Sequence, residues 1–205
     1  MDILKAENIT FGYKKNVNII EDINFQMDNN SIVGLFGDSG SGKTTFGKII
    51  TNFIDNYTGS VTVNGEEISS KEFNPVQLIY QHPEKVMNPR WNMGKILTES
   101  WNPPQDVLDE FGIKKEWLKR YPSELSGGEL QRFSILRSLN PKTKFIVADE
   151  ITTMLDAITQ AQIWTSVINH CRKNNVGILA VSHDMNLLER ICDDIIYFNE
   201  LNHKK

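Results

Sequence analysis

An apolar segment, Ser31-Ile-Val-Gly-Leu-Phe36, runs directly into Gly37-Asp38-Ser39-Gly40-Ser41-Gly42-Lys43-Thr44. The eight residues fit G-x-x-x-x-G-K-[ST], and the run before them has the length and apolar character of a buried strand. Glycines let the backbone turn tightly and aim bare N–H groups at an anion. The helix that follows, from about Lys43 to Phe53, offers its positive end, and Lys43 adds a full charge. Thr44 supplies a hydroxyl ligand for Mg²⁺ in this reading. The strand-cradle-helix order predicts binding of a nucleoside triphosphate and weighs against the bland alternative, a glycine-rich turn before an ordinary helix.

Length then bounds what can surround the cradle. The 205 residues suffice for one compact α/β domain with a sizeable core and one inserted subdomain, not for two full domains. A net charge of −4 with no basic block argues against nucleic acid as the main partner. The longest apolar stretches, Phe145–Ala148 and Val176–Val181, are far too short to span a bilayer, so a membrane role needs another chain. The N-terminus has neither a basic region nor a long apolar one, and secretion is not indicated. Cys171 and Cys192 stand far apart in apolar surroundings without metal-ligand spacing, which favours buried reduced thiols over a disulfide or metal site.

Periodicity divides the chain into regions. Ile3–Thr10 and Ile19–Met27 alternate like strands around the polar turn at Tyr13, and Thr58–Val63, Asn64-Gly65 and Glu66–Ile68 carry a type I′ hairpin signal. From 84 to 140, prolines punctuate short segments of helical spacing, which predicts an inserted helical subdomain. Beyond it, Lys144–Ala148 reads as a strand, Asp156–Lys173 as a helix and Val176–Val181 as a strand. A helix after His183 and a strand near Ile195–Phe198 complete the pattern. Alternation of this kind implies a parallel sheet.

Two further clusters carry chemistry. The strand Phe145-Ile-Val-Ala148 ends in Asp149 and Glu150. Beside a phosphate cradle the first can hold the Mg²⁺ shell, and the second can orient or deprotonate an attacking water. The alternative is a strand end that merely caps the next helix. Leu125-Ser126-Gly127-Gly128-Glu129 opens a helix through Leu139, with Ser126 and Glu129 spaced as a capping box. A cap has little use for two glycines in a first turn, where each costs up to about 1 kcal/mol against alanine. Their bare N–H groups make a second anion site.

Leu125-Ser126-Gly127-Gly128-Glu129 resembles the signature sequence of ATP-binding cassette (ABC) proteins, and the other cassette motifs occur in that family's order. Tyr13 resembles the A-loop aromatic that stacks on adenine. Gln81, after the strand Val76–Tyr80, resembles the Q-loop glutamine that contacts Mg²⁺ and water. Leu155-Asp156 resembles the D-loop, and His183 in Val181-Ser-His-Asp184 the switch histidine near the γ-phosphate. His82, His170 and His203 have no such support and read as surface or packing residues. The resemblance, over about residues 3 to 200, implies an ABC nucleotide-binding domain as a single α/β domain across 1–205. Its parts are a P-loop NTPase core with a parallel sheet, an N-terminal antiparallel β subdomain, and the inserted helical subdomain.

By the same resemblance, ATP with Mg²⁺ is held by Tyr13, by Gly37 to Thr44 and by Thr45 of one cassette. Ser126, Gly127, Gly128, Glu129 and Asp156 belong to the face toward a second cassette. Glu150, His183 and Gln81 are the implied catalytic residues, and Thr44, Gln81 and Asp149 the implied metal contacts. Residues 84–140 would receive a membrane partner's helix. Asn88-Pro89-Arg90, Tyr121-Pro-Ser-Glu-Leu125 and Gln160-Ala-Gln-Ile163 look like the ATPase subunits of peptide and nickel importers. That implies a peripheral subunit on the cytoplasmic membrane face, paired with permease subunits and a like or unlike ATPase, and indirectly with a solute-binding protein. Two departures stand out. Ile151-Thr-Thr-Met154 replaces the family's usual Pro-Thr-Ser-Ala, which leaves hydrolysis expected but communication between sites altered. The C-terminal extension of many members is absent or very short, so no regulatory domain is expected. A soluble ABC switch in translation or DNA repair is the alternative, disfavoured by size and charge.

Overall fold

The computed structural model describes residues 1–69 and 71–202, so His203 lies outside the described residues. In chain order come β1 (Ile3–Phe11), β2 (Ile20–Asp28), β3 (Ile32–Phe36), α1 (Lys43–Ile50), β4 (Thr58–Val63), β5 (Glu66–Glu67) and β6 (Val76–Ile79). Then follow α2 (Met93–Thr98), α3 (Gln105–Glu110), α4 (Gly127–Ser138), β7 (Phe145–Asp149) and α5 (Ala157–Asn174). β8 (Gly177–Ser182), α6 (Met185–Ile191), β9 (Asp194–Tyr197) and α7 (Phe198–Leu201) complete the chain. The residues fall into two compact units, one made of Met1–Leu78, Lys142–Asp149 and the residues from 175 onward, the other of Ile79–Pro141 and Glu150–Asn174.

In the first unit a four-stranded sheet has the order β2-β1-β4-β5. β1 and β2 alternate as predicted, with one change of phase in each. Asn8 and Asp22 adopt φ of 53° and 50°, the left-handed region that Asn and Asp tolerate best. The register against β2 shifts between Ala6 and Ile9, so both still face inward. Asn64 and Gly65 both have positive φ, as a type I′ turn demands, and pair Val63 with Glu66.

The second sheet, β6-β7-β8-β3-β9, holds its central strands parallel. All of β7 and β8 is buried, which explains their unbroken apolar runs. Register pairs Phe36 with Ser182 and Asp149 with Val181. The residues that leave β3, β7 and β8 therefore emerge along one edge, the usual place for ligands on such sheets.

Several strand boundaries shift by one residue from the sequence reading, and two element ends have a clear physical cause. α1 ends at Ile50 rather than about Phe53, because Asn52 turns left-handed (φ 57°) and the Phe53 amide returns to the Lys48 carbonyl at 2.8 Å. β9 stops at Tyr197 because Phe198 opens a one-turn helix and is fully buried. Its ring lies 6.2 Å from Phe46, which in turn stands edge-on to Phe25 at 5.6 Å. Phe46→Ala is expected to cost about 3–5 kcal/mol through lost burial and the cavity left behind. Urea unfolding followed by circular dichroism checks it; a loss under 1 kcal/mol would mean that this aromatic cluster is not the core's centre.

The second unit is helical, and prolines open its short turns: Pro83 and Pro122 begin 3-10 turns, and Pro104 precedes α3. The C-terminal carbonyls of α4 are satisfied by side chains, Trp101 Nε1 donating to Leu136 O at 2.7 Å and Ser100 Oγ to Arg137 O at 2.8 Å. Arg132 on α4 donates to the Phe111 carbonyl at 3.0 Å and to Gln162 Oε1 on α5 at 3.1 Å. Its partial burial lowers the guanidinium pKa. His170 is buried against Glu110 (3.1 Å), and His82 pairs with Glu84 (3.1 Å). Both cysteines are free thiols, and burial pushes both upward, Cys192 to about 12. Cys171 is buried as predicted, whereas Cys192 is only half-buried.

Candidate active site

The cradle is built on the first unit's parallel sheet. After Phe36 the chain turns through Gly40 and Gly42, with φ of 81° and 114°. At Gly40 a Cβ would meet open space, so only the dihedral requires glycine there. At Gly42 a Cβ would also press on Ile19 (3.1 Å) and Phe198 (3.3 Å). Gly42 caps α1 without any side-chain bond, and no acidic residue stands in the first turn. The helix therefore presents its N–H groups and positive end to an anion. The hydroxyl of Ser41 is buried without a hydrogen-bond partner, as expected of a group that waits for a ligand oxygen. Lys43 is 4% exposed, and its ammonium donates to the Gly37 and Asp38 carbonyls at 2.6 and 2.7 Å.

Thr44 Oγ1 donates to Asp149 Oδ1 at 3.1 Å, across 105 residues of sequence. A hydroxyl and a carboxylate side by side are hard oxygen donors, the chemistry that Mg²⁺ prefers. Among the described residues there is no group of three or more His, Cys, Asp or Glu that could hold a metal. The donor set thus fits a cation that completes its shell with water and phosphate oxygens. Tyr13 is 61% exposed, stacks edge-on against Phe11 at 4.9 Å, and its hydroxyl lies 3.3 Å from Thr45 Oγ1 on α1. His183 sits exposed in the turn between β8 and α6. Ser182 Oγ accepts from the Asp184 amide at 3.0 Å, and Asp184 accepts from the Leu187 amide at 3.2 Å, which fixes that turn.

In the second unit Glu150 has φ of 50°, which the sequence reading did not foresee. Gln81 Nε2 donates to Glu150 Oε2 at 3.1 Å across 69 residues. The glutamine thus bonds the candidate base directly, a contact absent from the sequence reading. Asp149 and Glu150, adjacent in sequence, have different partners: a hydroxyl for the first, an amide for the second.

Ser126 forms the predicted capping box: it accepts from the Glu129 amide at 3.3 Å, and Glu129 accepts from the Ser126 amide at 2.8 Å. The two glycines behave differently. A Cβ at Gly128 would meet Thr159 at 3.0 Å and Leu155 at 3.8 Å, whereas at Gly127 it would meet nothing within 4 Å. Packing explains Gly128; nothing around Gly127 requires glycine. Asp156 accepts from the Ile158 and Thr159 amides (3.1 and 3.0 Å) and from the Thr159 hydroxyl (2.6 Å). Those bonds hold its carboxyl below the usual range. The residue missed by sequence reasoning is Thr152, buried between Glu150 and Asp156 and bonded to two side chains of α5. The Gln160-Ala-Gln-Ile163 string was its available signal.

A glycine cradle joining a parallel strand to a helix, with a carboxylate from the end of β7, two strands away in the same sheet, on its threonine, defines a P-loop nucleotide-binding protein. The family profile described as ABC transporter matches residues 20–153, more than half of the chain, and the chain belongs to that family, of which it carries the ATPase domain. It is 32% identical over 218 residues to a probable peptide ABC transporter ATP-binding protein of Sinorhizobium fredii, covering 92% of this chain and 62% of that one. It is 30% identical over 211 residues to the nickel import system ATP-binding protein NikE of Staphylococcus aureus, covering 97% and 87%. The fold matches a dimeric ATP-binding cassette in a post-hydrolysis state with ADP and Pi, at a TM-score of 0.80 and 23% identity over 95% of this chain and 93% of that one.

Proposed function

We propose that this chain is the ATP-hydrolysing subunit of an importer for peptides, nickel or metal chelates, peripheral to the cytoplasmic face of the membrane. The Gln81–Glu150 bond carries the chemical part of the reading, because it gives the candidate base an amide partner that orients its carboxylate. Lys43, the cradle amides and the Ser41 hydroxyl bind the triphosphate, and Tyr13 and Thr45 flank it. Thr44 and Asp149 hold Mg²⁺, with Gln81 as a further contact. When bound, Mg²⁺ neutralises charge on the phosphate oxygens. Glu150 accepts the proton of the attacking water, and His183 contacts the γ-phosphate.

The Ser126–Glu129 turn and Asp156 face a second ATPase subunit, a role that gives the bare Gly127 amide a use. ATP favours the closed pair because its affinity differs between open and closed states. Import is supported by the nickel import system among the relatives, and the cargo classes by the two relatives' names. Among the described residues no helix is long and apolar enough to cross a membrane, so permease subunits supply the path and a solute-binding protein the cargo. Affinity purification from the native membrane tests this assembly: an integral membrane protein is expected to co-purify. Co-purification of ribosomes or DNA at moderate salt, without any membrane protein, would overturn it.

A further inference from the structure

Thr152 is 2% exposed, and its hydroxyl oxygen accepts two N–H bonds, from Gln160 Nε2 at 2.9 Å and from Trp164 Nε1 at 3.1 Å. The two donors are one turn apart on α5 and share a face. Trp164 is itself 4% exposed, and its indole N–H is held by this contact. Two residues before Thr152, Glu150 adopts the left-handed conformation, which persists in a non-glycine residue only where the surroundings over-determine it. The Glu150 carbonyl accepts from the Thr153 amide at 3.2 Å and the Thr153 hydroxyl at 3.0 Å, and the Leu155 amide donates to the Thr152 carbonyl at 3.1 Å. Ile151 is buried but supplies no ring to fix the backbone after Glu150. The turn is thus closed on itself by its own backbone, and Thr152 Oγ1 bonds it to two side chains of a long helix.

We propose that Gln160 and Trp164 are positioning residues for Glu150, acting through the Thr152 hydroxyl to set the direction of its carboxylate. The proposal rests on Glu150 as the group that activates water. Gln81 holds one carboxylate oxygen at 3.1 Å, and the Thr152 anchor holds the backbone from which that carboxylate projects. Neither Gln160 nor Trp164 touches the reacting atoms. Loss of the anchor therefore acts on the chemical step and leaves nucleotide binding by the cradle intact. It also gives the Gln160-Ala-Gln162 string two jobs, because Gln162 accepts from Arg132 on α4 and so ties the same helix to the one that begins with the signature glycines.

Steady-state ATP turnover and MgATP binding of the full chain, compared across T152V, T152S, W164F and E150Q, test the proposal. T152V keeps shape but removes the acceptor, and W164F keeps a ring but removes the donor. Each is expected to lower kcat about tenfold or more while KM stays within about twofold and one nucleotide still binds per chain. T152S, which restores the oxygen, rescues kcat to within about threefold of wild type. Adding W164F to T152V should change kcat by less than about twofold, since both act through one oxygen. Wild-type kcat in T152V or W164F, with E150Q inactive, would overturn the inference alone. A loss that T152S does not rescue, or one matched by lost binding stoichiometry, would overturn it too, because the role is then structural. Wild-type turnover by E150Q would overturn the assignment of Glu150 and the inference with it.

Discussion

Replacing Glu150 by glutamine is expected to lower ATP turnover by about a hundredfold or more while MgATP still binds, because a positioned general base contributes on that order. The substitution is close to isosteric, and a glutamine oxygen can still accept the Gln81 amide that now reaches Glu150 Oε2 at 3.1 Å. The variant thus removes basicity and leaves geometry in place. Asp149 keeps its bond to Thr44, so the metal contacts proposed for the cradle persist. Bound but uncleaved ATP should then hold the paired form, seen as a larger species on gel filtration with MgATP than without. Single-turnover measurements with the purified chain separate binding from cleavage. Cleavage at the wild-type rate would remove Glu150 from the mechanism.

Lys43→Met is expected to act one step earlier, weakening MgATP binding on the order of a hundredfold. Lys43 is 4% exposed, and its ammonium closes the cradle through the Gly37 and Asp38 carbonyls at 2.6 and 2.7 Å. In that position it donates charge-assisted bonds, which are roughly twice as strong as neutral ones. A phosphate that takes over this donor gains both a hydrogen bond and a full opposite charge in a poorly solvated pocket. Methionine keeps the stem and loses both. Calorimetric titration with MgATP measures the effect, and an affinity within threefold of wild type would mean that the backbone amides and Ser41 bind the nucleotide without the lysine. The two variants read different steps: one binds without cleaving, the other cleaves little because it binds little.

Much of this architecture was readable because its signals are short in range. The cradle, the Asn64-Gly65 turn and the Ser126–Glu129 capping box each span fewer than ten residues, and each adopts the backbone its residue types demand. The buried strands β7 and β8 announced themselves as unbroken apolar runs. At β9 and in the first sheet, where the reading slipped, a long-range partner had overridden local preference. Phe198 continues an apolar strand by pattern, yet its contact with Phe46 draws it into a helical turn. The phase changes at Asn8 and Asp22 were hidden because a bulge is defined by the partner strand.

Residue types and spacing thus decided the class: a phosphate cradle, a carboxylate pair at a strand end, and a second glycine turn, in the order of an ABC ATPase domain. Tertiary structure alone decided which of those groups meet. Thr44 reaches Asp149 across 105 residues and Gln81 reaches Glu150 across 69, in each case because strand pairing and chain packing bring together ends that sequence separates. The left-handed turn at Glu150 and the buried Thr152 hydroxyl belong to the same category. A local string can encode a dihedral or a cap, but the partner of a buried hydroxyl is settled only when distant segments pack and every buried donor must find an acceptor.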